Sequence, residues 1–143
     1  MSGSTKVTLF SVDEANRTVA ELRPDLERLA AMKREFDQLG SRAEVLSLAL
    51  SGAAADNPDA VELKRVTERR DALAEQILKG IEGIQRRGCL VKDVGRGLLD
   101  FYSLSGDRLI FLCWQLGEPA VEHWHTLEGG FAGRQPLDSR ERG

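Results

Sequence analysis

The sequence contains few residues of the kinds that mark secreted, membrane-spanning or nucleic-acid-binding proteins. Its 143 residues include two cysteines, too few for the disulfide framework of a small secreted domain. The N-terminal stretch MSGSTKVTLF lacks the apolar run of a signal peptide. The densest apolar stretch, Leu109 to Trp114, is far shorter than the ~20 residues that cross a bilayer. We therefore expect a cytoplasmic protein without a membrane partner.

Positive charge is not in excess either. The formal net charge is −3, whereas nucleic-acid-binding domains usually carry a basic stripe. The basic pairs Arg69-Arg70 and Arg86-Arg87 lie in a stretch, 58–88, where basic and acidic residues are mixed in nearly equal numbers, as on a solvated helix face. We expect no nucleic-acid partner.

A long amphipathic helix is predicted over residues 12–50. The tetrapeptide SVDE at 11–14 fits a capping box, in which serine and glutamate satisfy free backbone N–H groups. Apolar residues then recur at steps of three and four. Because proline removes one helical hydrogen bond and clashes with the preceding turn, we expect a kink or break at Pro24.

A second helix is predicted from Pro58, with Asn57 as its N-cap and Gly88 as its stop. The segment 51–56, SGAAAD, is the connecting loop, so the two helices form an antiparallel hairpin with coiled-coil-like stripes. At 1.5 Å per residue the first helix is roughly 55–60 Å long. That exceeds a compact domain of this size, so we expect a homodimer that covers the remaining stripe. The alternative is that the C-terminal half covers it all.

From Gly88 onward the composition changes to glycine and aromatic residues, which indicates strands. The stretch Asp107–Gln115 is apolar on both faces, so it is predicted as a central strand covered on one side by the hairpin. The C-terminal segment or a partner chain would cover the other side. The predicted strands are Leu90–Asp93, Leu98–Leu104, Asp107–Gln115 and Ala120–His125.

These patterns predict an α+β fold: a long antiparallel helical hairpin packed on a small antiparallel β-sheet of three to four strands. Each half is too thin to bury its own core, so we expect a single domain. This domain is expected to span residues 1–143. Within it the hairpin is at 11–88, the β-rich part is at 89–137, and the ends at 1–6 and 138–143 are flexible.

His123 and His125 are candidate metal ligands. They are two residues apart on a predicted strand, so both imidazoles project to one face. A divalent metal such as zinc would be the cofactor, because imidazole, thiolate and carboxylate all suit it. The alternative is one buried, satisfied histidine and one exposed histidine. The third ligand could be Cys113, Glu118, Glu122 or Asp100.

The strand register decides whether Cys113 can join the histidines. If Leu116–Pro119 is a four-residue loop, Gln115 pairs with Ala120 and Cys113 lies on the opposite face. A shift by one residue reverses that outcome. As a nucleophile Cys113 is a poor candidate, because its apolar surroundings would raise the thiol pKa.

Asp100, Glu118 and Arg134 are candidate ligand-binding residues. Asp100 interrupts an apolar strand, where a carboxylate is costly unless it is paired or solvated. Glu118 sits at a turn, where a solvated surface role is the alternative. Arg134 ends the glycine-rich stretch 128–134 and could bind an anion. Its alternative is a pair with an internal carboxylate, in a loop that folds back over the sheet.

Short motifs spread along the chain form a recognisable set. They are FSVDEAN at 10–16, VKD at 91–93, GLLDF at 97–101, CWQLGE at 113–118, WH at 124–125 and GFAGRQP at 130–136. The set resembles the bacterial domain-of-unknown-function family 2203, over Val7 to Leu137. The resemblance implies no particular activity. The family pattern includes His125 in its Trp-His pair, which favours His125 over His123.

Two functional classes follow from these residues. In the first, a pocket formed by Asp100, Glu118, His125 and Arg134 binds a small anionic ligand or a divalent metal. Such a pocket would hold general acid–base groups, but the residues assign no reaction. In the second, the protein is a non-enzymatic homodimeric adaptor whose long helices bind another protein, and the aromatic stretch is core.

Overall fold

The computed structural model describes residues 6–50 and 57–138 as two helices followed by a five-stranded antiparallel sheet. The elements are α1 (Val12–Ala49), α2 (Pro58–Gln85), β1 (Leu90–Asp93), β2 (Leu98–Ser105), β3 (Arg108–Gln115), β4 (His123–His125) and β5 (Gln135–Pro136). The predicted α+β architecture is confirmed, with one strand more than expected.

Parts of three predictions lie outside the described residues. They are the connecting loop at 51–56 and the outer parts of the two chain ends, 1–5 and 139–143. Within the described ranges, neither helix combines the length and the apolar character that crossing a membrane requires.

Helix α1 begins at the predicted capping box. The Ser11 N–H donates to Glu14 Oε1 at 2.8 Å, and the Glu14 N–H donates to Ser11 Oγ at 3.1 Å. A break at Pro24 is wrong, because α1 continues through this residue, whereas the alternative of a kink stays a prediction. Pro24 and Ala20 are both exposed, so the Ala20 carbonyl that loses its helical partner can bond to water instead.

Helices α1 and α2 pack as the predicted antiparallel hairpin. The side chain of Asn57 caps α2 by accepting the Asp59 N–H at 2.8 Å. The part of α1 nearer its N-terminus packs on the sheet through Val19, Leu22, Leu26 and Leu29. The part nearer its C-terminus lies beyond that core and forms a small separate cluster with α2, built on Ala43, Leu46 and Val66.

Strand β3 is the central strand of the sheet and is buried on both faces, as predicted. Its helix-facing side carries Ile110, Leu112 and Trp114, which belong to the same core as α1. Its other side carries Phe111 and Cys113, also buried. Both faces of the sheet are therefore covered at β3, and a polar side chain on either face of this strand is removed from water.

The register between β3 and β4 follows the second of the two alternatives. Cys113 lies opposite His123 and Phe111 lies opposite His125. The four-residue loop with Gln115 opposite Ala120 is therefore wrong. Since partners in an antiparallel pair share a face, both histidines project to the side of the sheet that carries Cys113. The hydrogen bond from the Val121 N–H to Asn16 Oδ1, at 2.7 Å, ties the connecting segment to α1.

We predict that alanine at Gly97 destabilises the fold more than alanine at Gly106. Both glycines have φ near +60°, so both substitutions strain the backbone by about 1 kcal/mol. At Gly97 the added Cβ would also lie 2.6 Å from the Leu116 Cβ, whereas at Gly106 no atom of residues 6–50 or 57–138 that could clash lies within 4 Å of it. The free energy of unfolding in urea should fall by roughly 1–3 kcal/mol more for Gly97→Ala. Equal losses would contradict the close approach.

Candidate metal centre

Three buried side chains from neighbouring strands converge on the face of the sheet that does not pack on the helices. Asp100 on β2 and Cys113 on β3 are direct cross-strand partners, and His125 lies on β4. A carboxylate oxygen, the Cys113 sulfur and a His125 ring nitrogen lie within 4.8 Å of one another. These atoms are the usual donors of a transition-metal site.

Hydrogen bonding indicates which ring nitrogen of His125 carries a proton. Its Nδ1 lies 2.7 Å from the carbonyl oxygen of Thr126, which can only accept, so Nδ1 carries a proton and donates it. Its Nε2 lies 3.0 Å from Asp100 Oδ1. In a neutral imidazole with Nδ1 protonated, Nε2 presents a lone pair to the carboxylate. The contact is favourable only when a proton or another cation lies between the two atoms.

Cys113 is a thiol in this environment and not a free thiolate. Burial raises the pKa of its thiol to about 11, and the negative charge of Asp100 acts in the same direction. The Arg134 guanidinium, with Nη1 at 3.7 Å from the sulfur, acts in the opposite direction and does not overcome burial. Cys113 is therefore unsuited to nucleophilic attack by itself, and a metal ion would have to displace its proton.

Glu118 and Arg134 form a partly buried ion pair beside this cluster. Arg134 donates to both carboxylate oxygens of Glu118, and the Gln115 N–H donates to Glu118 Oε1 at 2.8 Å. Burial raises the pKa of Glu118, but the hydrogen bonds from Arg134 and Gln115 outweigh it and lower that pKa overall. The pair with Glu118 in turn raises the pKa of Arg134. The alternative in which Arg134 pairs with a carboxylate is confirmed.

His123 shares its sheet face with His125 but has different neighbours. Its Nδ1 lies 3.8 Å from Glu118 Oε2 and has no hydrogen-bond partner among the described residues, and its side chain is 30% exposed. The structure thus brings His125 to Asp100 and Cys113, and brings His123 to Glu118. The sequence left four candidates for the third ligand, because it did not determine the β3–β4 register that selects among them. Nothing in the sequence indicated that the Thr126 carbonyl would accept the hydrogen bond from His125 Nδ1.

The family assignment rests on nearly the whole chain. Residues 8–137 match the family model described as "Uncharacterized conserved protein (DUF2203)". The chain belongs to the DUF2203 family. The match confirms the resemblance carried by the short motifs, and it spans both helices and all five strands. Neither the curated proteins nor the solved structures gave a match. For this DUF2203 chain, function must therefore be argued from the site itself.

We predict that Glu118→Gln destabilises this DUF2203 protein at neutral pH. Because the folded-state pKa of Glu118 is lowered, its contribution is complete above the ordinary glutamate pKa and is lost as the pH falls through the folded value. Urea unfolding at pH 7 should show a loss of roughly 1–3 kcal/mol, since charged hydrogen bonds are removed. The difference from wild type should shrink in acid.

Glu128→Gln is the matched control, because Glu128 is an exposed carboxylate in the following loop. It should leave the free energy of unfolding nearly unchanged at both pH values. A Glu118→Gln loss that stays constant into acid would contradict the role of the ionised carboxylate.

Proposed function

We propose that the protein binds a divalent metal ion such as zinc through Asp100, Cys113 and His125. The observation that carries this proposal is the convergence of three buried donor atoms, in which His125 Nε2 lies 3.0 Å from Asp100 Oδ1 and the Cys113 sulfur lies within 4.8 Å of both side chains' donor atoms. A metal ion between them satisfies both, and the Cys113 sulfur is within reach of the same position. Of the candidate ligands predicted from the sequence, the proposal keeps His125, Asp100 and Cys113. It does not use His123 or Glu118.

The donor set selects the class of metal. One nitrogen, one sulfur and one oxygen suit a borderline ion such as Zn²⁺, whereas Mg²⁺ and Ca²⁺ prefer oxygen ligands throughout. A divalent ion also balances the charges, because the Asp100 carboxylate and the Cys113 thiolate together carry two negative charges. The site would then be neutral, which favours it in surroundings where these residues are almost wholly buried.

The surroundings of His125 are those of a metal-bound histidine. A histidine ligand usually donates its other ring N–H to a carbonyl or carboxylate, which fixes the ring and its tautomer. Here the Thr126 carbonyl takes that role at 2.7 Å. The strands hold all three ligands on regular backbone, so the site needs little rearrangement to close around an ion.

We predict that the protein binds one equivalent of zinc or cobalt(II) and that each ligand is required. Cobalt(II) should give a sulfur-to-metal absorption band, since Cys113 is a ligand. Cys113→Ser, His125→Gln and Asp100→Asn should each weaken metal binding by about 10-fold to 100-fold or more. Protein purified without a metal-affinity tag would be titrated with each ion and measured by calorimetry and absorption.

The chain offers a control for two of the ligands. Cys89 is buried in the helix-facing core and donates to the Ile84 carbonyl, so Cys89→Ser should leave metal affinity unchanged. His123→Gln should do the same, because the proposed site does not use it. A protein that binds no metal, or whose affinity is insensitive to Cys113 and His125, would overturn the proposal.

A second candidate function, assembly through the helices, has its own support. Near the loop end of the hairpin, Val45, Leu48 and Val61 are exposed, Leu48 to 81%. These apolar side chains lie on the part of the hairpin that extends beyond the sheet. A second copy that covers them would make the predicted homodimer.

We predict a dimer in light scattering coupled to gel filtration, and a monomer for Leu48→Glu, because a charge there would be desolvated at the interface. Leu104→Glu, at an exposed leucine in the β2–β3 hairpin, is the control and should remain dimeric. A wild-type protein that is monomeric across the accessible concentrations would remove the assembly function and leave the metal site untouched.

A further inference from the structure

We infer that Arg134 is a positioning residue of the metal site: it donates an N–H to the Cys113 sulfur when that sulfur is bound to the metal, and Glu118 cancels its positive charge. This inference rests on the proposed metal site. It goes beyond that site by giving the Glu118–Arg134 ion pair a role in how tightly the metal is held.

Arg134 reaches the sulfur and the carboxylate with the same side chain. Its Nη1 lies 3.7 Å from the Cys113 sulfur and 3.2 Å from Glu118 Oε1, and its Nη2 donates to Glu118 Oε2. Nη1 carries two N–H groups, so one can serve Glu118 while the other points to Cys113. The donor to the sulfur is therefore on the edge of the guanidinium that faces Cys113, and the ion pair does not compete for it.

The Cys113 sulfur needs such a donor when it binds a metal. It is fully buried, so water cannot solvate the negative charge that the thiolate brings to the site. The metal takes one sulfur lone pair and leaves others that accept hydrogen bonds, and a charged donor makes a stronger hydrogen bond than a neutral one. Groups that hydrogen-bond to a metal ligand orient that ligand and tune its bond to the metal.

The positive charge of Arg134 would by itself oppose metal binding. A guanidinium beside a divalent cation repels it, and water screens this repulsion little, because the Arg134 and Glu118 side chains are only 15% and 19% exposed. Glu118 binds both Nη atoms and is itself held by the Gln115 N–H at 2.8 Å. The pair as a whole is neutral, so it supplies a hydrogen bond to the sulfur without a net repulsion of the ion.

An aromatic contact also holds the guanidinium in place. Its central carbon lies 4.5 Å from the centre of the Phe131 ring, which belongs to the 3-10 turn that precedes Arg134. The ring and the two bonds to Glu118 leave the side chain little freedom to lose when the metal arrives. Arg134 is therefore already placed to donate to the thiolate.

The test uses the full chain loaded with cobalt(II) and measures the sulfur-to-metal absorption band. A hydrogen bond to the thiolate stabilises the sulfur electrons that this transition moves to the metal, so its loss shifts the band to longer wavelength. Arg134→Leu removes every donor of the side chain and should give that shift, with cobalt affinity weakened by about tenfold. Arg134→Lys keeps the charge and one donor group, so it should lie between Arg134→Leu and wild type in both measurements.

A second comparison avoids the unpaired carboxylate that Arg134→Leu leaves at Glu118. Glu118→Gln retains the Arg134 donor and should keep the wild-type band position. The double variant that adds Arg134→Leu to Glu118→Gln removes both charges and should shift the band to longer wavelength. The difference between these two variants isolates the N–H donor to the sulfur.

Arg96→Gln is the matched control. Arg96 also lies over the Phe131 ring, at 4.1 Å, but it donates to Gln115 and does not contact Cys113 or Glu118. Its substitution should leave the band position and the cobalt affinity unchanged.

The band position separates the inference from a purely structural role of Arg134. A band that stays in place in both comparisons, even with weaker affinity, would overturn the inference while the metal site stands. Tighter cobalt binding by Arg134→Leu would also overturn it, because the guanidinium would then repel the ion. A chain that binds no cobalt fails at the earlier step and removes both proposals.

Discussion

The contact between His125 Nε2 and Asp100 Oδ1 is the main electrostatic constraint on the candidate metal centre. With Nδ1 committed to the Thr126 carbonyl, the two atoms face each other as acceptors and need a positive charge between them. In water this requirement for a positive charge is easily met, because solvent supplies the proton or separates the two groups. In a sheet that is covered on both faces it is harder to meet, since an uncompensated buried charge costs several kcal/mol. The rest of the site can be understood as the surroundings of this pair, with Cys113 as the third donor.

The two halves of the chain contribute differently to these surroundings. The helical hairpin covers one face of the sheet, mainly with aliphatic side chains. The segment after β4 covers part of the other face with Phe131 and Arg134, and this cover is polar and thinner. The result is a site with a dry base on the strands and a charged edge near solvent.

Sequence reasoning identified most of the residues but not their grouping. Four candidate site residues stand out in the sequence: Asp100, Glu118, His125 and Arg134. A carboxylate in an apolar strand, such as Asp100, and an arginine after several glycines, such as Arg134, have no simple structural explanation. What the pattern could not show is that Glu118 and Arg134 satisfy each other. It also could not show that the partner of Asp100 is His125. These pairings join residues that are far apart along the chain, and no local rule orders them.

The sequence by itself determined the two helices, their N-terminal caps and the hairpin of β2 and β3, because these depend on residues within a few positions of one another. It also determined that His123 and His125 share a face, since side chains alternate along a strand. Only the tertiary structure decided which face that is. A shift of one residue between β3 and β4 moves Cys113 from one side of the histidines to the other, at nearly the same cost in backbone hydrogen bonds. In the observed register the β3–β4 connection is held against α1, where Asn16 Oδ1 accepts a hydrogen bond from the Val121 N–H.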